Sequence, residues 1–149
     1  MCKPVALITG ASRGLGAALA QALSSTHHII AVSRTIGALE ALDDQIKKNG
    51  GSSTLAPIDL TDENAVAQLC RSIFERWGKI KLWAHTAIHA APLGPVITID
   101  SKDWEKSITN NVTALTKLIP MVSPLLMEEG KAIFFEDKTI LKKFSSIYG

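Results

Sequence analysis

The run Thr9-Gly10-Ala11-Ser12-Arg13-Gly14-Leu15-Gly16 constrains this chain more than any other stretch. It follows Val5-Ala6-Leu7-Ile8, a short continuous apolar run that marks a strand covered on both faces. It leads into Leu15, Ala18, Leu19, Ala22 and Leu23, which recur at helical spacing. Glycines at a strand-to-helix junction let the backbone turn sharply and approach a phosphate, whose charge then meets a helix N-terminus. A tight turn that holds no ligand is the other reading of the same glycines. Their place at the first junction of an alternating chain favours the phosphate cradle.

The alternation continues to the end. His28 to Val32 reads as a second buried strand, followed by a helix from about Ile36 that Asn49-Gly50-Gly51 stops. Thr54 to Ile58 is a third strand, and Pro57 points to an edge position. Thr61 is the expected N-cap of a helix running to Trp77, with Asp62 and Glu63 suited to its dipole. Ile80 to Ala84 is the fourth strand, and a loop with Pro92, Gly94 and Pro95 follows. A long helix capped by Ser101 carries the stripe Trp104, Ile108, Val112, Leu115, Leu118, Ile119, Val122, Leu125 and Leu126. Pro120 and Pro124 predict a kink or break near Ile119; Gly130 ends the helix and Lys131 to Phe135 is the fifth strand. Strands alternating with helices predict an α/β fold, a Rossmann-like doubly wound parallel sheet in the order 3-2-1-4-5.

Composition narrows the function. The 149 residues match one ordinary domain, with 46% apolar residues to build a core. A net charge of +2 leaves no nucleic-acid footprint and no polybasic membrane patch. Two cysteines, Cys2 and Cys70, argue against a disulfide scaffold and fit a reducing compartment. No stretch reaches the ~18 apolar residues of a membrane helix, so a soluble cytoplasmic protein is expected. His85 and His89 fall on a strand end and a loop without nearby acids, so no metal is expected. His27 and His28 read as surface residues, Cys70 as a small buried hydrophobe, and Trp77, Trp83 and Trp104 as packing residues.

The spacing Gly10, Gly14, Gly16 after Thr9 resembles the cofactor loop of the short-chain dehydrogenase/reductase family, and the likeness runs over nearly all of the chain. Asp59-Leu60-Thr61-Asp62 looks like the family segment whose first Asp contacts adenine. Asn111-Val112 is similar to the family pair whose Asn supports a proton-relay water. Tyr148-Gly149 looks like the opening of its Y-x-x-x-K motif. The resemblance implies hydride transfer between a nicotinamide and a small carbonyl or alcohol, in a homo-oligomer. It assigns catalysis to Tyr148 and Asn111. It assigns cofactor contacts to Thr9, Gly10, Ser12, Arg13, Gly14, Leu15, Gly16, Asp59, Leu60 and Ala87.

The second strand ends Val32-Ser33-Arg34-Thr35, with no acid before Glu40. A free ribose 2′-OH wants a carboxylate there, whereas a 2′-phosphate wants Arg or Lys. Ser33, Arg34 and Thr35, joined by Arg13, resemble the NADP-preferring members, so NADP(H) is expected, with NAD(H) the second choice. Two solvated surface arginines are the alternative.

Three departures stand out. Where the family's fourth strand ends N-N-A-G, this chain has His85-Thr86-Ala87-Ile88. Where the family has S-S, it has Glu136-Asp137, and an ionised carboxylate cannot donate the hydrogen bond of a Ser. Ser145 and Ser146 are the remaining hydroxyl candidates. The Lys that lowers the Tyr pKa belongs four residues beyond Tyr148, and the chain stops at Gly149. A second expectation follows, that of a shortened, non-catalytic nucleotide-binding or interaction module with 131–135 as an uncovered edge strand.

Overall fold

The computed structural model describes residues 2–92 and 94–136. Strand β1 (Val5–Thr9) leads through the glycine loop into α1 (Gly14–Leu23), then β2 (His28–Ser33), α2 (Ile36–Lys48) and β3 (Ser52–Pro57). Helix α3 (Glu63–Trp77) and β4 (Ile80–His85) follow, then a 3-10 turn (Val96–Thr98) and α4 (Ser101–Ile108). A π-helical turn (Thr109–Thr113), α5 (Ala114–Val122), a second 3-10 turn (Ser123–Leu125) and β5 (Leu126–Phe134) complete the described chain. All five strands are parallel, in the order β3-β2-β1-β4-β5. This is the doubly wound sheet that the alternation predicts, with Pro57 on an edge strand.

Period-two alternation along each strand sorts the core into two layers. Val5, Leu7, Ile30, Val32 and Trp83 point to one face and meet Val66 and Ile73 of α3 and Leu118 and Val122 of α5. Ala6, Ile8, Ile29, Ala31 and Ala84 point to the other and meet Ala20 of α1 and Leu39, Leu42 and Ile46 of α2. The inner strands read as unbroken apolar runs because helices cover both their faces.

Several local expectations are corrected. Asp62, not Thr61, caps α3, its side chain accepting from the amides of Asn64 and Ala65. The Thr61 hydroxyl donates instead to Asp59 Oδ1. Asp100 takes the capping role expected of Ser101. In α1 the buried positions are Gly16 and Ala20, while Leu15, Ala18 and Ala22 are exposed, because the helix approaches the sheet on its smallest residues. His28 is no free surface residue. Its Nδ1 lies 2.8 Å from Ser52 Oγ and its Nε2 2.9 Å from Thr54 Oγ1, which ties β2 to β3, and its ring packs on Trp77.

The long helix differs most. It ends at Val122 and not at Gly130, and β5 starts at Leu126. Pro120 sits within α5 without ending it, whereas Pro124 has no amide proton with which to continue the ladder and opens the 3-10 turn. The π-helical turn shifts the phase of the residues after it, so the apolar stripe splits. Leu118, Val122 and Leu125 are buried, but Trp104 and Val112 remain 55% and 51% exposed. Strand β5 lies at the outer edge of the described sheet, with a register irregularity between Ile80 and Leu82.

Candidate functional site

The C-terminal ends of β2, β1, β4 and β5 open onto one cleft of about 700 Å³. The glycine loop forms part of its wall. Gly10 has φ +88, and a methyl there would stand 2.5 Å from the Ala87 nitrogen and 2.7 Å from its Cα. A methyl on Gly16 would collide with the Gly10 carbonyl and lie 2.5 Å from Thr86 Oγ1. The single proton of the Thr86 hydroxyl is shared between the carbonyls of Thr9 (2.9 Å) and Gly10 (3.1 Å). Gly10 and Ala11 donate their amides to the Val32 carbonyl. The loop is thereby locked to the ends of both neighbouring strands. Gly14 is different: at φ +55 its missing side chain faces open space. Packing explains Gly10 and Gly16, while Gly14 leaves room in front of the first turn of α1, whose preceding residue Arg13 supplies no side-chain cap.

Of the residues singled out in the sequence, Gly10, Ser12, Arg13, Gly14, Leu15, Gly16, Ser33, Arg34, Asp59, Leu60, Ala87 and Asn111 all line this cleft. Arg13 and Arg34 also share a second hollow of about 390 Å³ with Ser12, Thr35 and Ala38. Both arginines are exposed. Ser33 is buried and its Oγ accepts from the Thr35 amide, so it shapes the turn that presents Arg34. Asp59 Oδ1 accepts from the Thr61 amide and hydroxyl, which fixes the carboxylate at the rim. Thr9 is fully buried and belongs beneath the cleft. Tyr148, Asp137, Ser145 and Ser146 lie outside the described residues.

Asn111 sits in the π-helical turn and closes a two-bond ring with His89. Its Oδ1 accepts from the His89 amide (2.8 Å) and its Nδ2 donates to the His89 carbonyl (2.9 Å). The widened turn thus clamps the loop that leaves β4.

A buried network at the end of β4 escaped the sequence reading. Trp83 Nε1 donates to Thr9 Oγ1 (3.3 Å), which lies 2.8 Å from His85 Nδ1. Phe134 of β5 packs edge-on against Trp83 at 5.1 Å and 6.0 Å from the His85 ring. Only part of the signal is local: Trp83 and His85 are two apart on one strand and so share a face, whereas the pairing of Thr9 with His85 comes from strand register. The Nε2 of His89 is buried without a partner among the described residues. Among the described residues no cluster of three His, Cys, Asp or Glu could hold a metal, and no helix is long and apolar enough to cross a membrane.

Burial holds the His85 pKa below its ordinary value, with the Ala87 backbone opposing. Burial, then the charges of Arg76 and Lys3, do the same to His28. Both imidazoles therefore take up protons less readily folded than unfolded. Their contribution to stability is complete above the unfolded value of about 6.5 and is lost as the pH falls below it. Urea midpoints measured at pH 7.5 and 5.5 are expected to be lower at pH 5.5. An equal or higher midpoint at pH 5.5 would contradict this.

Comparison with known proteins gives a consistent relation. The family described as short chain dehydrogenase matches residues 4–136. The NADP-dependent 3-hydroxy acid dehydrogenase of Salmonella typhimurium is 27% identical over 128 residues, covering 85% of this chain and 50% of its own. A metagenomic short-chain oxidoreductase solved in complex with NADP superposes with a TM-score of 0.76 at 28% identity, over 83% of this chain and 57% of that one. A xylitol dehydrogenase solved with NAD+ bound gives a TM-score of 0.76 at 28% identity, over 82% and 47%. The chain spans about half the length of these relatives.

Proposed function

Because the chain belongs to the short-chain dehydrogenase family, we propose that residues 1–149 form one nucleotide-binding domain of an NADP(H)-dependent oxidoreductase. The reaction is exchange of a hydride between the nicotinamide and a small carbonyl or alcohol. One observation carries the choice of NADP(H): Arg13 and Arg34 face a single hollow whose wall has no carboxylate among the described residues. Guanidinium forks match phosphate oxygens, and a 2′-phosphate is what NADP(H) has and NAD(H) lacks. Family membership by itself leaves both cofactors open, since one solved relative holds NADP and another NAD+.

The residues present fit a dinucleotide. The open space before Gly14 and the uncapped start of α1 suit a diphosphate, with Asp59 and Leu60 on the adenine side and Ala87 beside the far ribose. When bound, the nicotinamide supplies the hydride to the substrate carbon or takes it back. This chain's own part is position and proton. Tyr148 is assigned the proton given to the carbonyl oxygen. Asn111 retains one N–H and one oxygen lone pair beyond its bonds to His89, enough to hold a relay water. The half-exposed Trp104 and Val112 support a homo-oligomer, and the free thiols Cys2 and Cys70 support a cytoplasmic setting.

A non-catalytic nucleotide-binding module is the second reading. Glu136 favours it, lining the cleft where a hydroxyl donor is expected. Tryptophan fluorescence titrated with NADPH and NADH tests the binding that both readings share. NADPH is expected to bind at least ~10-fold more tightly, as one charge-assisted hydrogen bond supports. Turnover on a carbonyl panel then favours the enzyme, and tight binding without turnover the module. A chain that takes neither nucleotide would sink both.

A further inference from the structure

Charge is unevenly distributed along the cleft. Arg34 follows β2 and Arg13 follows β1, whereas Ile88 follows β4 and Phe135 and Glu136 follow β5. The strand order β2-β1-β4-β5 therefore puts both arginines at one end and the carboxylate at the other. Three strand spacings separate the ends, about 14 Å. Arg13 and Arg34 are the only Arg or Lys among the described residues of the cleft wall, and the acids there are Asp59, on the arginine side after β3, and Glu136. Glu136 follows two aromatic residues and faces Ile88 across the strand ends, while the β4 side of the wall also carries His85, His89 and Asn111. Ile88 is 73% exposed, and Phe134 and Phe135 are 46% and 49% exposed. Among the described residues Glu136 has no ion-pair partner within 4.0 Å.

On these observations we propose that the β4–β5 end of the cleft selects its substrate by charge. It takes carbonyl or alcohol compounds whose non-reacting part is apolar and neutral or cationic. It turns away those whose carboxylate or phosphate is one carbon removed from the reacting carbon. This rests on the oxidoreductase reading above, which runs the dinucleotide from the arginines to Ala87 after β4 and leaves the space between Ile88 and the end of β5 to the substrate. A carboxylate brought to Glu136 meets like charge, with no Arg or Lys among the described residues of that end to offset it. An ammonium group meets a carboxylate and aromatic faces, both attractive. Selectivity of this kind would set the chain apart from its Salmonella relative, whose name specifies a 3-hydroxy acid.

The test uses the whole chain saturated with NADPH and three matched ligands: a 3-oxobutanoate as free carboxylate, as methyl ester and as dimethylaminoethyl ester. Trp83, 5.1 Å from Phe134, reports binding by its fluorescence. The carboxylate is expected to bind at least ~10-fold more weakly than the methyl ester, and the aminoester at least as tightly as the methyl ester. In Glu136→Gln the ratio of ester to carboxylate is expected to shrink to about twofold. Equal binding of carboxylate and ester, an unchanged ratio in Glu136→Gln, or binding of none of the three overturns the proposal. NADPH titration alone is the separate control. A chain that takes NADPH without discriminating loses only the charge inference, whereas one that takes no NADPH loses the reading beneath it as well.

Discussion

Gly10→Ala is expected to lose about 4 kcal/mol of folding stability, a large share of the ~5–15 kcal/mol usual for a domain. Two independent costs add. The backbone at φ +88 is one that L side chains rarely adopt. The new methyl would also stand 2.5 to 2.7 Å from main-chain atoms of Thr86 and Ala87. No rotamer relieves a clash with backbone. Moving that segment away would break the Thr86 amide bond to the Thr9 carbonyl (2.8 Å) and the shared bond of the Thr86 hydroxyl. Gly14→Ala is the matched control. It meets only the φ penalty, about 1 kcal/mol, because nothing lies within 4 Å of the added carbon. Urea midpoints of the two variants separate the cases, and a Gly10→Ala chain with the parental midpoint would show that the two loops do not touch.

The second large effect concerns the arginines. Replacing Arg13 and Arg34 together by Ala is expected to weaken NADPH binding by about 100-fold while changing NADH binding less than about threefold. Each guanidinium offers charge-assisted hydrogen bonds worth about 1.5–3 kcal/mol, and sharing one phosphate makes their sum less than additive. Both residues are exposed, so the unfolding free energy should change by no more than about 0.5 kcal/mol. The preference should also narrow at high salt, as exposed charge contacts do. Equal losses for both nucleotides would assign the arginines to general attraction of the diphosphate. No loss for either would make them solvated surface residues.

The sheet was legible because its information is local. Unbroken apolar runs in β1 and β2, the glycine loop between β1 and α1, and the stops after α2 each follow from a few neighbouring residues. The features that escaped depend on contacts between distant residues. That α1 packs through Gly16 and Ala20 follows from the close approach of the Thr86 segment, which helical spacing cannot register. The stripe beginning at Trp104 was read with one continuous period, and a single π-helical turn divides it. Asp62 and Asp100 displaced the hydroxyl residues next to them as caps, a choice between adjacent acceptors that propensity does not separate. At the site, the residue types that line the cleft were identifiable from the glycine loop and the strand ends. The joining of Thr9, Trp83 and His85 emerges only from strand register.

The strand order also dictates a timetable for synthesis. Residues Val5 and His28, paired across β1 and β2, are 28 − 5 = 23 apart in sequence, so one edge of β1 can be covered soon after that strand emerges. The other edge waits for β4, since Thr9 and His85 are 76 residues apart. At ribosomal rates of about 5–20 residues per second, the innermost strand spends roughly 4 to 15 seconds with an open apolar border. Among the five described strands, the central one is thus left half-paired longest on the ribosome, and there a nascent chain of this kind most needs a chaperone.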